Sequence, residues 1–271
     1  MNRAAHPDHH ARLLRALARQ LPGRQAHQRM MPRPATADFD RWNPPPDHRQ
    51  AAVLVLLYPA APAAPGLRVV LIRRPDYPGV HGGQIAFPGG AREPGESLQQ
   101  TALREAHEEV GVDAEQVSVL GPLSPLYVFA SNFNVHPFLA WAQQRPVFTP
   151  CAKEVAAIIE LPLERLSEPR FHGEEHLTLR GRRVWVPYFA APQARIWGAT
   201  AMMLAELRDL GWAWLHSACE AAASQPLQAL QLWAGHGVGM TPCHFEYAPA
   251  RELRHARSAQ PRASAARPAS R

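Results

Sequence analysis

Three carboxylates, Glu105, Glu108 and Glu109, crowd the end of the stretch GGAREPGESLQQTALREAHEEVGV, residues 89–112, with Glu93 and Glu96 just before them. Spaced i, i+3 and i+4 on a helix, they would bring oxygen donors to one side. Close carboxylates repel one another, more strongly when partly desolvated, so a positive charge belongs among them. A hard divalent cation, Mg²⁺ or Mn²⁺, suits such donors and keeps positions free for water and phosphate oxygens. A solvated acidic face with Arg104 as its salt-bridge partner is the other reading of the same residues.

The element that positions these groups has defined ends. Ser97 with Gln100 three residues later has the capping-box pattern, Leu98 to Glu109 contains neither Gly nor Pro, and Gly111 falls where a left-handed cap belongs. Leu98, Ala102, Leu103, Ala106 and Val110 form the apolar stripe, and Glu105 and Glu109 lie at its edge instead of opposite it. In the loop before the helix, Gly89, Gly90 and Gly95 allow backbone groups to approach an anion or a metal closely.

Around this unit the apolar runs at 51–59 and 67–74 read as buried strands, with further strands at 84–88, 117–123, 134–142 and 183–190. KEVAAIIELPLERL opens as a strand and ends as a short helix, and residues 194–210 read as a helix stopped by Gly211. Leu13, Leu14, Leu17 and Leu21 give an amphipathic lead-in helix over 8–20, stopped at Pro22-Gly23. The expected organisation is an N-terminal helix and Pro-rich arm over 1–48, one domain of mixed strands and helices over 49–212, an extension of unassigned structure over 213–248, and a disordered basic tail over 249–271.

With 271 residues the chain can bury a core without staples. Three separated cysteines, Cys151, Cys219 and Cys243, fit a reducing cytoplasm and exclude a disulfide framework. No stretch has the length of a signal peptide's apolar region or of a membrane span, so a soluble, cytoplasmic protein is expected. The formal charge of +6 comes almost wholly from Arg in an Ala- and Pro-rich chain, and nucleic acid is not the expected partner. His6, His9 and His10 read as a solvated terminus, and Trp197, Trp212 and Trp214 as packing groups.

Gly90, Glu96, Arg104, Glu105, Ala106, Glu108, Glu109, Gly111 and Val112 stand at the spacing of the Nudix box, GX5EX7REUXEEXGU, and the chain resembles the Nudix hydrolases. Only Ala106 departs, where a larger aliphatic residue is usual. The resemblance implies an α/β fold, the Nudix α/β/α sandwich with a central mixed β-sheet, and hydrolysis of a nucleoside diphosphate linked to another moiety. It implies Glu105 and Glu109 as chief ligands of Mg²⁺ or Mn²⁺ with backbone help from Gly89, and Glu108 as a further ligand or base. By the same resemblance Arg104 would orient a carboxylate, Glu96 would brace the loop, and Gly90 and Gly111 would support it. Glu154, in the later segment CAKEVAAIIELP, matches the place from which related enzymes draw a general base.

Upstream of the box, LRVVLIRRPDYPGVHGGQIAFPGG resembles the coenzyme A pyrophosphatase branch, with its SX3RX3GX3FPGG motif. Arg73 or Arg74, Gly83 and Phe87 match in register and are the substrate-binding candidates, whereas Pro75 and Gly79 replace the motif's Ser and Arg. Arg74 or Arg92 is the candidate to restore that charge, and Tyr127 or Phe133 to contact an adenine. The implied substrate is coenzyme A or an acyl derivative. ADP-ribose, NADH or another dinucleotide is the alternative, and a non-catalytic ligand-sensing or RNA-binding Nudix module is the reading from another class. The partner is a small nucleotide derivative, with a homodimer left open.

Overall fold

The computed structural model describes residues 9–33, 42–60, 66–78, 81–179, 181–191 and 194–223, with side chains described as far as residue 211. His6, Gly79, the side chains of Trp212, Trp214, Cys219 and Cys243, and the extension and basic tail beyond 223 therefore lie outside the described residues.

Two short helices, α1 (His9–Leu17) and α2 (Gly23–Arg29), come first, so the break expected at Pro22-Gly23 separates two helices instead of ending one. The main sheet is built from β1 (Arg49–Pro59), β2 (Leu67–Arg73), β3 (Ile85–Ala86), β4 (Gly89–Ala91), β5 (Val117–Pro122), β6 (Leu126–Val128), β7 (Phe133–Ala142) and β8 (Ala157–Pro162). Helix α3 (Leu98–Val110) connects β4 to β5. The chain then forms β9 (His172–Leu179), β10 (Arg182–Ala191) and β11 (Ala194–Trp197), and runs into α4 (Gly198–Ala223).

The main sheet is mixed. Its spine is β3-β2-β1-β7-β5, with β4 on β1, β6 on β7 and β8 on β2. β1 and β7 run parallel from Arg49↔Phe133 to Leu57↔Trp141, while β1 pairs antiparallel with β2 and β4. A strand covered on both faces reads as an unbroken apolar run, as β1 does. Its side chains divide by parity: Ala52, Leu54, Leu56 and Tyr58 pack under α3 with Ala102, Ala106 and Val110. Val53, Val55 and Leu57 enter the opposite core with Leu13 of α1, Phe189 and the apolar face of α4. The result is a mixed sheet between helical layers, with the three-stranded sheet β11-β10-β9 beside it.

Three departures from the expected elements have simple causes. Residues 194–197 pair with β10 as a strand, and the helix starts at Gly198, whose φ of +62° turns the chain. Gly211 does not stop α4, because one glycine costs a helix interior only about 1 kcal/mol and the next proline, Pro226, comes after the helix has ended. Strand β9, HGEEHLTL, escaped the sequence reading because its polar residues lack strand propensity. It forms by pairing along β10 from Leu179↔Arg182 to His172↔Phe189.

Candidate active site

Helix α3 is fixed at both ends by the chemistry its sequence offers. Ser97 Oγ accepts from Gln100 N at 3.2 Å, Gln100 Oε1 accepts from Ser97 N at 2.8 Å, and Gly111 closes the helix in the left-handed region at φ 72°. Burial of Ala102, Ala106 and Val110 sets the helix rotation. The small Ala106, fully buried, lets α3 sit close over β1. That rotation puts Glu109 inward with 2 % exposure, Glu105 half-buried, and Glu108 outward with its side chain 52 % exposed.

The glycine loop meets the helix from the other side. Gly89 N donates to Glu109 Oε2 at 2.8 Å. A Cβ on Gly89 would lie 2.4 Å from Ala52 O, so only glycine brings that amide to the carboxylate. A Cβ on Gly90 would lie 2.4 Å from Glu105 Oε1, which places that carboxylate flat against the loop backbone.

Arg104 joins the parts. Its Nε donates to Glu96 Oε1 at 2.7 Å, Nη2 to Glu96 Oε2 at 3.2 Å and to Ala91 O at 3.1 Å. Nη1 spans Glu105 Oε1 at 3.0 Å and Glu108 Oε2 at 2.9 Å. The Arg104 hydrogen bonds hold the Glu96 carboxyl down to about 2, and Glu96 in turn accepts from Thr101 Oγ1 and Glu93 N. Glu96 thus ties loop to helix through a charge-assisted fork.

The two inward carboxylates are the opposite case. Burial raises Glu105 above the usual carboxylate range despite Arg104, and the charges of Glu108 and Glu154 push the same way. Burial pushes Glu109 up to about 7, against the Gly89 amide and Arg74, with Glu105 and Glu154 adding repulsion. Arg74 Nη2 is 3.9 Å from Glu109 Oε1 and donates to Gly89 O at 3.3 Å. Among the described residues no three His, Cys, Asp or Glu side chains converge on one point, and Arg104 bridges Glu105 and Glu108 instead. Adjacent helix residues such as Glu108 and Glu109 point about 100° apart. Even so, Glu105 and Glu109, one turn apart, desolvated and mutually repelling, are oxygen donors whose burden a hard divalent cation would relieve, and the set fits such an ion.

The remaining candidates separate. Glu154, exposed in the turn before β8, is near enough for its charge to act on both Glu105 and Glu109. Phe87 is buried and lines a cavity of about 1280 Å³ together with Arg74, Gly89, Gly90, Met202 and Met203. Arg73 points elsewhere, to Asp76 Oδ2 at 3.4 Å. Gly83 serves a turn, its N–H donating to Pro75 O at 3.0 Å, and a Cβ there would lie 2.5 Å from Asp76 Oδ1. Arg92 is held by Glu96 O and Gln50 Oε1 at 2.6 and 2.7 Å. Phe133 borders the cavity, and Tyr127 OH donates to Asn132 Oδ1 at 2.9 Å. His9 packs near Trp141 at 6.1 Å, and Trp197 lines the cavity.

Sequence reasoning passed over a second buried carboxylate, Glu206 of α4, fully buried. It accepts from Gly23 N at 3.2 Å, Ser124 Oγ at 2.6 Å and Ser124 N at 3.2 Å, and pairs with His27 Nε2 at 2.9 Å. A glutamate amid the apolar MMLAELRDL run was the available signal.

A mixed sheet between helical layers thus carries a capped helix that presents carboxylates to a glycine loop. The model of the NUDIX domain matches residues 48–196, and the chain belongs to the Nudix family. The uncharacterized Nudix hydrolase NudL of Yersinia pestis strain Pestoides F is 38 % identical over 163 residues, covering 59 % of this chain and 78 % of that protein. Among solved structures, the Nudix hydrolase RenU from M. smegmatis aligns with a TM-score of 0.41 at 21 % identity, over 66 % of this chain and 89 % of that one. A C. elegans Ap4A hydrolase aligns with a TM-score of 0.36 at 23 % identity, over 43 % and 81 %. Among the described residues no helix is long and apolar enough to cross a membrane.

Proposed function

We propose that this Nudix hydrolase cleaves the diphosphate of coenzyme A or an acyl-CoA, giving adenosine 3',5'-bisphosphate and 4'-phosphopantetheine products. The observation that carries this reading is the cavity of about 1280 Å³ that opens beside Gly89 and Arg74 and continues between apolar side chains including Ile85, Phe87, Met202 and Met203. Ligand pockets usually span roughly 300–1,000 Å³. A diphosphate at the glycine loop would leave most of this space to a long, largely apolar arm, which an acyl-pantetheine has and a nucleoside triphosphate lacks.

In this reading Glu105 and Glu109, the latter held by the Gly89 amide, would hold a divalent cation, Mg²⁺ or Mn²⁺. When bound, it offsets charge on the diphosphate oxygens and lowers the cost of activating water. Arg74, on the cavity wall and beside Glu109, meets a diphosphate oxygen and takes the place of the Arg that Gly79 lacks. Glu154 receives the proton of the attacking water: it has no cationic partner among the described residues, whereas Glu108 is occupied by Arg104. Arg104 and Glu96 keep loop and helix in register during turnover.

The test is mass-spectrometric identification of products from coenzyme A, acyl-CoA, ADP-ribose, NADH and nucleoside triphosphates with Mg²⁺ or Mn²⁺. Adenosine 3',5'-bisphosphate is expected from the first two. Cleavage confined to ADP-ribose or NADH, the reading that Pro75 favours by serving only as a turn acceptor for Gly83, would remove the coenzyme A assignment and keep the hydrolase.

A further inference from the structure

We propose that Arg24, on the N-terminal helix α2, determines specificity by binding a substrate phosphate separate from the diphosphate, the 3'-phosphate of a coenzyme A-type nucleotide; this rests on the reading above. Arg24, Met31 and Trp42 line the same cavity as Arg74, Gly89 and Gly90. The N-terminal segment therefore contributes to the same space as the glycine loop.

Several other arginines of the chain are held by carboxylates or carbonyls. Arg29, Arg33 and Arg195 each pair with a carboxylate, Asp209, Glu174 and Glu175 respectively. Arg74 is engaged by Gly89 O and Glu109. The Arg24 guanidinium lies 5.1 Å from the centroid of the Trp42 ring and has no carboxylate partner among the described residues. A guanidinium over an aromatic face keeps its N–H edge free for a phosphate, which it can meet with two parallel hydrogen bonds.

Its position is fixed by buried chemistry. His27, one turn further along α2, and Gly23 both bond Glu206 of α4. The His27 ring also stacks on Trp42, with centroids 5.9 Å apart and planes 11° apart. Helix, tryptophan and Arg24 are thus held as one unit against α4. Arg24 itself is exposed while Met202 and Met203 are buried, so the charge stands at the cavity rim and the apolar side chains form its floor. Three arginines line this apolar cavity, Arg74 beside Glu109, Arg24 over Trp42, and Arg182, and more than one cationic position suits a ligand that carries two separate anionic groups.

The test is calorimetric binding of adenosine 3',5'-bisphosphate and of AMP to the full chain in Mg²⁺, for wild type, Arg24→Gln, Arg24→Lys and Arg182→Gln, Arg182 being the third arginine that lines the cavity. Wild type should prefer the bisphosphate by about tenfold, Arg24→Gln should lose the preference without losing AMP affinity, and Arg24→Lys should keep part of it. An unchanged melting temperature in Arg24→Gln confirms that the loss is local. No preference in wild type, preference surviving in Arg24→Gln, or collapse in Arg182→Gln alone overturns the proposal. Binding is read without turnover, so a preference that depends on Arg24 in a protein that cleaves no coenzyme A would retain this inference and remove the proposed substrate.

Discussion

Glu109 and Glu206 are both buried glutamates on helices, yet their surroundings are opposite. Glu206 sits among donors: two backbone amides, a serine hydroxyl and a histidine ring supply what water would have supplied. Glu109 has one backbone amide at 2.8 Å and an arginine at 3.9 Å, and its other charged neighbours are carboxylates. A saturated buried carboxylate ties elements together, here α2 and the Ser124 turn to α4. An unsaturated one is held at a cost, and such perturbed groups cluster at functional sites, which supports the proposed cation site at Glu109.

The largest effect should separate the two residues outright. Glu109→Gln is expected to lower turnover by about a thousandfold while the protein stays folded, since the proposed cation ligand is lost and a desolvated charge removed. Wild-type turnover in that variant would make Glu109 as structural as Glu206. Glu206→Ala should do the converse: about 3 kcal/mol of stability lost in denaturant unfolding, because His27, Ser124 and the Gly23 amide lose their acceptor, with kcat per folded molecule retained.

The pH dependence of the metal-free protein gives a finer contrast. Glu109 keeps its proton up to about 7 in the folded state but releases it near 4.5 when unfolded. Its stabilising contribution is therefore full below pH 4.5 and lost as pH rises through 7, amounting to about 3 kcal/mol. Unfolding in a chelator between pH 4 and 8 should show that slope in wild type and not in Glu109→Gln. An equal slope in both would refute the burial argument. Smallest is Gly90→Ala, whose methyl must displace the Glu105 carboxylate. Divalent cation affinity, read by titration calorimetry, should fall about tenfold with stability changed by under ~1 kcal/mol, and unchanged affinity would separate Glu105 from the cation site.

How much of this was legible beforehand depended on how local each cause is. The ends of α3 were readable because both caps are made by residues within a few positions of one another, Ser97 with Gln100 and Gly111 with His107. The strands β1, β2 and β7 were readable because burial on both faces writes itself as an apolar run. β9 and β11 were not, since their strand character comes from β10 and not from their own residues. Within the site, the spacing of Glu105, Glu108 and Glu109 suggested three donors together, but helix rotation sends Glu108 out to Arg104. Burial, not spacing, distinguishes the inward pair.

The sequence by itself determined the capped helix, the glycine loop, the order of charges along residues 89–112 and hence the family, because all of these are set by short-range geometry. Tertiary structure decided the rest. It chose which carboxylates lose water, turned Arg74 toward Glu109, and brought Arg24 and Trp42 to the cavity through a glutamate 179 residues from His27. Desolvation and long-range pairing depend on what packs overhead, and no window of sequence contains that.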